Sequence, residues 1–201
     1  MIAAAGILLV AAITPGPNNF VALAAGARVG LFGALPVMAG IVLGTLALVT
    51  LVMFGAGAAF AAVPRLRLAI AAAGCAYLSW LGLRLMTGRI HSGIHPGRGG
   101  AFRASGLPDR AAGLFVFQFL NPKSWATVLT VTAALPAAAG TWRFWVLMAL
   151  FVLIPAACLI AWTMFGSALT APLGQPGGAA LLQRVMGALL IVSAVLMWFS
   201  R

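Results

Sequence analysis

Thr14-Pro15-Gly16-Pro17-Asn18-Asn19 interrupts the first apolar run of the chain, about residues 2–27, near its middle. Pro15 and Pro17 have no N–H. A continuous helix would leave the carbonyls of Ala11 and Ile13 without donors, and each ring would crowd the preceding turn. Gly16 between them loosens the backbone further. A break at membrane depth survives only where protein or a wet cavity satisfies the freed groups, and Asn18 and Asn19 carry the donors and acceptors to do so. Thr14 reads as the N-cap of a second half-helix with Pro15 at its first position. That would aim a positive helix end at the middle of the bilayer. The stretch reads as the place where a polar solute is held.

The membrane itself follows from composition. Of 201 residues, 64% are hydrophobic and 6% charged, whereas a soluble domain carries about a quarter charged residues. Too little polar side chain is present to coat a water-facing surface, and several apolar runs reach the roughly 20 residues needed to span. The net charge of +11 comes from twelve Lys/Arg against the single acid Asp109. Apart from Lys123 these cations lie in loops or near span ends, so topology and anionic lipid account for them, not nucleic acid. Cys75 and Cys158 stand alone in apolar runs and read as packing residues, with neither a redox pair nor a zinc site. His91 and His95 fall in a Gly- and Arg-rich segment that reads as a solvated loop. Met1-Ile2 offers no basic n-region, so signal cleavage is not expected.

The spans read as about 2–27, 35–61, 67–86, 111–134, 143–168 and 181–199. Arg28-Val29-Gly30 and Pro64-Arg65-Leu66-Arg67 read as tight connections. Pro36 suits the first turn of span 2, and Gly40-x-x-x-Gly44 permits close helix approach. Trp142, Trp145 and Trp198 suit the membrane interface, Arg84 is placed to snorkel, and Pro155 to kink span 5. With the ends outside, inside loops hold Arg28, Arg84, Arg89, Arg98, Arg103, Arg110 and Arg184, against Arg65, Arg67, Arg143 and Arg201 outside. The excess places both termini outside and the long loop in the cytoplasm.

Span 4 is interrupted at Asn121-Pro122-Lys123, three spans after the first break. Three spans per half insert the halves in opposite directions. Paired interruptions in corresponding helices of inverted halves point to a transporter site at the midplane. The expected fold is an all-α integral membrane protein with one polytopic domain over 1–201. Its six transmembrane helices form two inverted three-helix repeats, about 1–87 and 111–201, joined by a cytoplasmic loop at about 88–110. Pro122 removes the bond to the Gln118 carbonyl, and Asn121 can cap the half-helix that follows. Lys123 is the only ionisable residue deep in any span. A bare ammonium there costs roughly 2.5–3.5 kcal/mol or more, and no Asp or Glu in a span can balance it. Carbonyls, asparagine oxygens, water or an anionic ligand remain. The candidate substrate-binding residues are therefore Thr14, Pro15, Gly16, Pro17, Asn18, Asn19, Gln118, Asn121, Pro122 and Lys123. Lys123 would hold a carboxylate, and because lysine can give up its charge when desolvated it is also the candidate for proton coupling. The lack of span carboxylates argues against a strongly cationic substrate, although Tyr77, Trp80 or Trp125 could face a cation.

These residues carry a resemblance. Thr14-Pro15-Gly16-Pro17-Asn18, Gly26-Ala27-Arg28-Val29-Gly30, Gly40-Ile41-Val42-Leu43-Gly44, Ala76-Tyr77-Leu78 with Leu81-Gly82-Leu83-Arg84, Asn121-Pro122-Lys123 and Gly187-Ala188-Leu189-Leu190 occur in the order seen in the LysE/RhtB translocators. The chain resembles that family over nearly its whole length. The resemblance implies six spans in the bacterial inner membrane, export of an amino acid coupled to the proton motive force, a homodimer, and neither cofactor nor enzymatic activity. One position departs: Thr45 stands where many members carry an Asp. Proton movement would then run through Lys123, water or the substrate. The competing readings are a metal-ion or other small-cation exporter, which lacks the ligands, a thiol oxidoreductase, which lacks paired cysteines, and a non-transporting membrane subunit, which leaves the buried lysine and twin breaks without a purpose.

Overall fold

The computed structural model describes residues 1–87, 110–135, 140–169 and 178–199, and among them all regular structure is helical. In chain order α1 is Ile2–Ile13, α2 Pro17–Gly33 and α3 Leu35–Leu51. A π-helical segment, Val52–Ala56, leads into α4, Gly57–Ala62. There follow α5 (Pro64–Met86), α6 (Ala111–Leu120), α7 (Pro122–Ala133), α8 (Gly140–Ala168) and α9 (Gly178–Phe199). Among the described residues, Leu35–Ala56, Leu68–Met86 and Thr141–Ala168 are long and apolar enough to cross a membrane. The pair Ile2–Ile13 and Pro17–Ala27, bent by 55° at its break, makes a fourth. Neither α6 nor α7, with 10 and 12 residues, spans alone, and the apolar part of α9 is Ala180–Leu196. Ile2, Val10, Phe32, Leu153 and Leu196 stand exposed on the outside, an apolar surface suited to lipid and not to water.

Three local expectations change and one holds. Span 2 is not one α-helix: Gly55, at φ +116, takes a conformation open to glycine and opens a π-helical turn. Pro64-Arg65-Leu66-Arg67 is not a turn but the first turn of α5, because Pro64 fills the first helical position after an extended Val63. Arg28-Val29-Gly30 does mark a connection, because Gly30, at φ +68, breaks the helical path between the main part of α2 and the short turn that ends at Gly33. Thr14 is not the N-cap of the second half-helix. Its N–H and its hydroxyl both donate to the Val10 carbonyl, so it closes α1, while extended Gly16 caps α2 and Pro17 takes the first position. The expected loops at 88–110 and 172–178, with His91 and His95, lie almost wholly outside the described residues.

Glycines set how closely the helices pair. α2 lies along α8, α5 along α9, and α3 along α6. A Cβ on Gly26 would overlap the Thr163 carbonyl, and one on Gly166 the Leu23 carbonyl. Gly40 and Gly44 rest in the same way on Ala111 and Phe115 of α6, so that pair serves packing within one chain. Gly26→Ala therefore has to separate two backbones, and overpacking of this kind costs about 1–3 kcal/mol. The expected result is a lowered unfolding midpoint in detergent; an unchanged midpoint would mean that α2 and α8 slide apart freely.

Two apolar clusters result. One joins Phe20 of α2, Ile41 of α3, Leu114 and Phe117 of α6 and Leu159 of α8 with the α5–α9 pair. The other joins Leu8 of α1, Leu48 of α3, Val128 and Val131 of α7, and Leu147 and Phe151 of α8. The first lies on the α2 and α6 side of the two breaks, the second on the α1 and α7 side. Between them is the polar layer.

Candidate functional site

Both breaks are built alike. Each second half-helix opens with a proline at its first position behind a cap, Gly16 before Pro17 and Asn121 before Pro122. The correspondence therefore runs Pro17 to Pro122, with Asn18 opposite Lys123. The Asn121 side chain accepts from the Lys123 N–H at 3.1 Å, one of the donors a helix start leaves unsatisfied. At the first break Asn19, 7% exposed, reaches back across the gap. Its Nδ2 donates to the Ala12 carbonyl at 2.8 Å and the Thr14 carbonyl at 3.0 Å. Two carbonyls at the end of α1, those of Ala12 and Thr14, thus find a donor inside the protein.

The Lys123 ammonium crosses from α7 to the same place. Its Nζ donates to the Thr14 carbonyl at 2.5 Å and the Pro15 carbonyl at 3.4 Å. Those carbonyls form the negative end of α1, which favours a cation. Each has a second donor, Asn19 on Thr14 and the Ser193 hydroxyl of α9 on Pro15 at 3.0 Å. Gly16 is the residue the lysine passes: a Cβ there would sit 3.0 Å from Nζ and 3.1 Å from Cδ.

Gln118 lies behind this layer with no exposed surface. Its Nε2 donates to the Leu114 carbonyl and to Asn18 Oδ1, both at 3.1 Å. Its Oε1 accepts from Asn18 Nδ2 at 3.0 Å and from the Ser124 hydroxyl at 2.8 Å. A reciprocal amide pair therefore ties the first broken helix to the second.

A small, half-open cavity lies between the breaks. Gly16, Pro17, Asn18, Asn19, Asn121 and Lys123 line it. Of the remaining expected site residues, Thr14 and Pro15 contribute the carbonyls that hold Lys123, and Gln118 supports Asn18 from behind. Pro122 packs against Gly74 of α5, where a Cβ would overlap its ring, and is not part of the lining. Ile41 and Leu159 border the cavity from the first apolar cluster, Leu8 and Phe151 from the second. Thr45, Ser124, Thr127, Pro155 and Cys158 also line it. Pro155 has no N–H to offer the Phe151 carbonyl one turn back. Of these, Ser124 and Thr127 carried a signal in sequence, since they follow Lys123 by one residue and by one turn. Ser193 carried none.

The lining holds one cation, several neutral donors and acceptors, apolar walls and no carboxylate. Chemically, such a lining offers a counter-charge to an anionic group. Residues 9–201 match the family described as LysE type translocator. No curated protein and no solved structure matches the chain.

Proposed function

The chain belongs to the LysE type translocator family and is a multi-pass membrane protein; from that premise we propose that it is a secondary active exporter of a small amino acid or related zwitterion across the bacterial inner membrane. The observation that carries the reading is Lys123, a cation that, among the described residues, is held by carbonyl dipoles in a cavity between two broken helices. An entering carboxylate gives it a counter-charge that no described residue of the lining supplies, and every amino acid brings one. Backbone N–H groups in the first turn of α2 add partial positive charge on the same wall.

The six-span inverted arrangement belongs to the same proposal. The spans are α1 with α2, α3 through α4, α5, α6 with α7, α8, and α9. The packing supports this reading. Each broken span lies on the second span of the other half, and the third spans pair with each other. Closing the Ile41–Leu159 border while opening the Leu8–Phe151 border, and the reverse, would expose the cavity to alternate sides. Lys123 would exchange its proton as the carboxylate arrives and leaves.

The test is efflux of a panel of labelled amino acids from vesicles carrying the purified protein. Selective, saturable efflux of at least one amino acid supports the reading. Efflux of metal ions with none of any amino acid would replace it with the cation exporter, and no efflux at all with a non-transporting subunit. Orientation has its own measurement. A single cysteine in place of His95 is expected to react with an impermeant thiol reagent only from the cytoplasmic side, and labelling in intact cells would invert the topology.

A further inference from the structure

The hydrogen-bond directions around the cavity are fixed by one group that cannot reverse its role. The Leu114 carbonyl only accepts, so the Gln118 atom facing it, at 3.1 Å, is the amide nitrogen. Gln118 Oε1 must then face Asn18 and Ser124. It can only accept, so the Ser124 hydroxyl spends its one proton on it, at 2.8 Å. The same logic holds across the cavity on α3, where the Thr45 hydroxyl donates to the Ile41 carbonyl at 2.8 Å. Both hydroxyls are buried, 7% and 8% exposed, and both residues line the cavity. Each therefore has only lone pairs left to present. A ligand meeting them has to be a donor.

We propose that Thr45 and Ser124 form the ammonium subsite of the cavity, distinct from the carboxylate subsite at Lys123, so that these two hydroxyls are what separates an α-amino acid from the corresponding carboxylic or 2-hydroxy acid. The proposal rests on the zwitterion reading above. It gives the two charges of one small molecule two different kinds of partner. The cation Lys123 meets the carboxylate, and acceptor-only oxygens of α3 and α7 meet the ammonium. The side chain is left to Leu8, Ile41, Phe151 and Leu159. An ammonium with N–H donors satisfies the lone pairs. A 2-hydroxy acid brings one donor and no charge, and a deamino acid brings neither and leaves buried acceptors unmatched. A site built to hydrogen-bond a group rejects the analogue lacking it far more sharply than an apolar pocket rejects a methylene.

The experiment uses the full-length protein in detergent or vesicles. The probes are alanine, serine, valine, leucine and methionine, each beside its deamino and 2-hydroxy analogues. Wild type is expected to bind at least one of these amino acids ten or more times tighter than both analogues. Thr45→Val and Ser124→Ala are each expected to cut that preference by about tenfold, as the loss of a hydrogen bond to a charged group does, while affinity for the analogues stays the same. Thr45→Ser keeps the hydroxyl and is expected to keep the preference. Equal binding of amino acids and analogues by wild type, or an undiminished preference in both variants, overturns the subsite while leaving the exporter in place. If wild type neither binds nor moves any member of either series, the zwitterion reading itself falls.

Discussion

Lys123→Met is expected to weaken substrate binding strongly and stop efflux, and Lys123→Arg to restore binding without restoring proton-coupled transport. Removing one partner of a desolvated charge pair costs about 2–5 kcal/mol, so the methionine variant should lose affinity by about 30-fold or more. Misfolding does not explain such a loss. Methionine is apolar, and taking the ammonium out of the membrane relieves roughly 2.5–3.5 kcal/mol of insertion cost. Nor does it orphan the groups that hold the lysine, because the Thr14 carbonyl keeps Asn19 and the Pro15 carbonyl keeps Ser193. The protein without its ammonium is expected to insert at least as well as with it. Arginine separates the two roles assigned to the residue, because its guanidinium stays charged at any accessible pH. Equilibrium binding and efflux driven by an imposed pH gradient measure them in turn. Wild-type affinity and transport in a correctly inserted methionine variant would remove Lys123 from the site.

What could be read from the sequence followed from chemistry that acts locally. Two prolines around a glycine announce a break in an apolar run, although a single proline need not, since α8 runs on through Pro155, and Asn121 before Pro122 announces the cap. A lone lysine among apolar residues announces a partner. The details that escaped depend on what lies across a gap. Two prolines one residue apart offer two places to restart a helix. The choice of Pro17 goes with Asn19 reaching the Ala12 and Thr14 carbonyls, and with Thr14 turning its hydroxyl back on Val10. Pro64 was concealed by basic neighbours that also suit a turn. That Thr45 lines the cavity was hidden for a more general reason. A hydroxyl in an apolar helix usually bonds to its own backbone, as Thr50, Thr87 and Thr132 do here. Its spacing does not say which one faces a cavity.

Gln118→Leu is expected to destabilise the protein by several kcal/mol and also to weaken the preference for amino acids over their analogues, although Gln118 is not in the cavity lining. Leucine matches its bulk and leaves the Asn18 amide and the Ser124 hydroxyl without their partner. Each buried polar group left unmatched costs about 1–3 kcal/mol. Adding Asn18→Leu removes one of those orphans, so the double variant should be more stable than the sum of the single losses by about 0.5–3 kcal/mol. Unfolding midpoints of the four proteins in one detergent give that coupling directly. The effect on selectivity has a separate origin. Without Oε1 the Ser124 proton is no longer committed, so the hydroxyl can turn and donate toward the cavity, which admits the deamino and 2-hydroxy acids. A structural role alone would lower stability and leave the ratio of affinities where it was. Loss of the ratio together with a positive coupling energy marks Gln118 as the residue that orients the acceptor wall. A leucine variant with both stability and ratio intact would mean that the amide pair joining the two broken helices does neither.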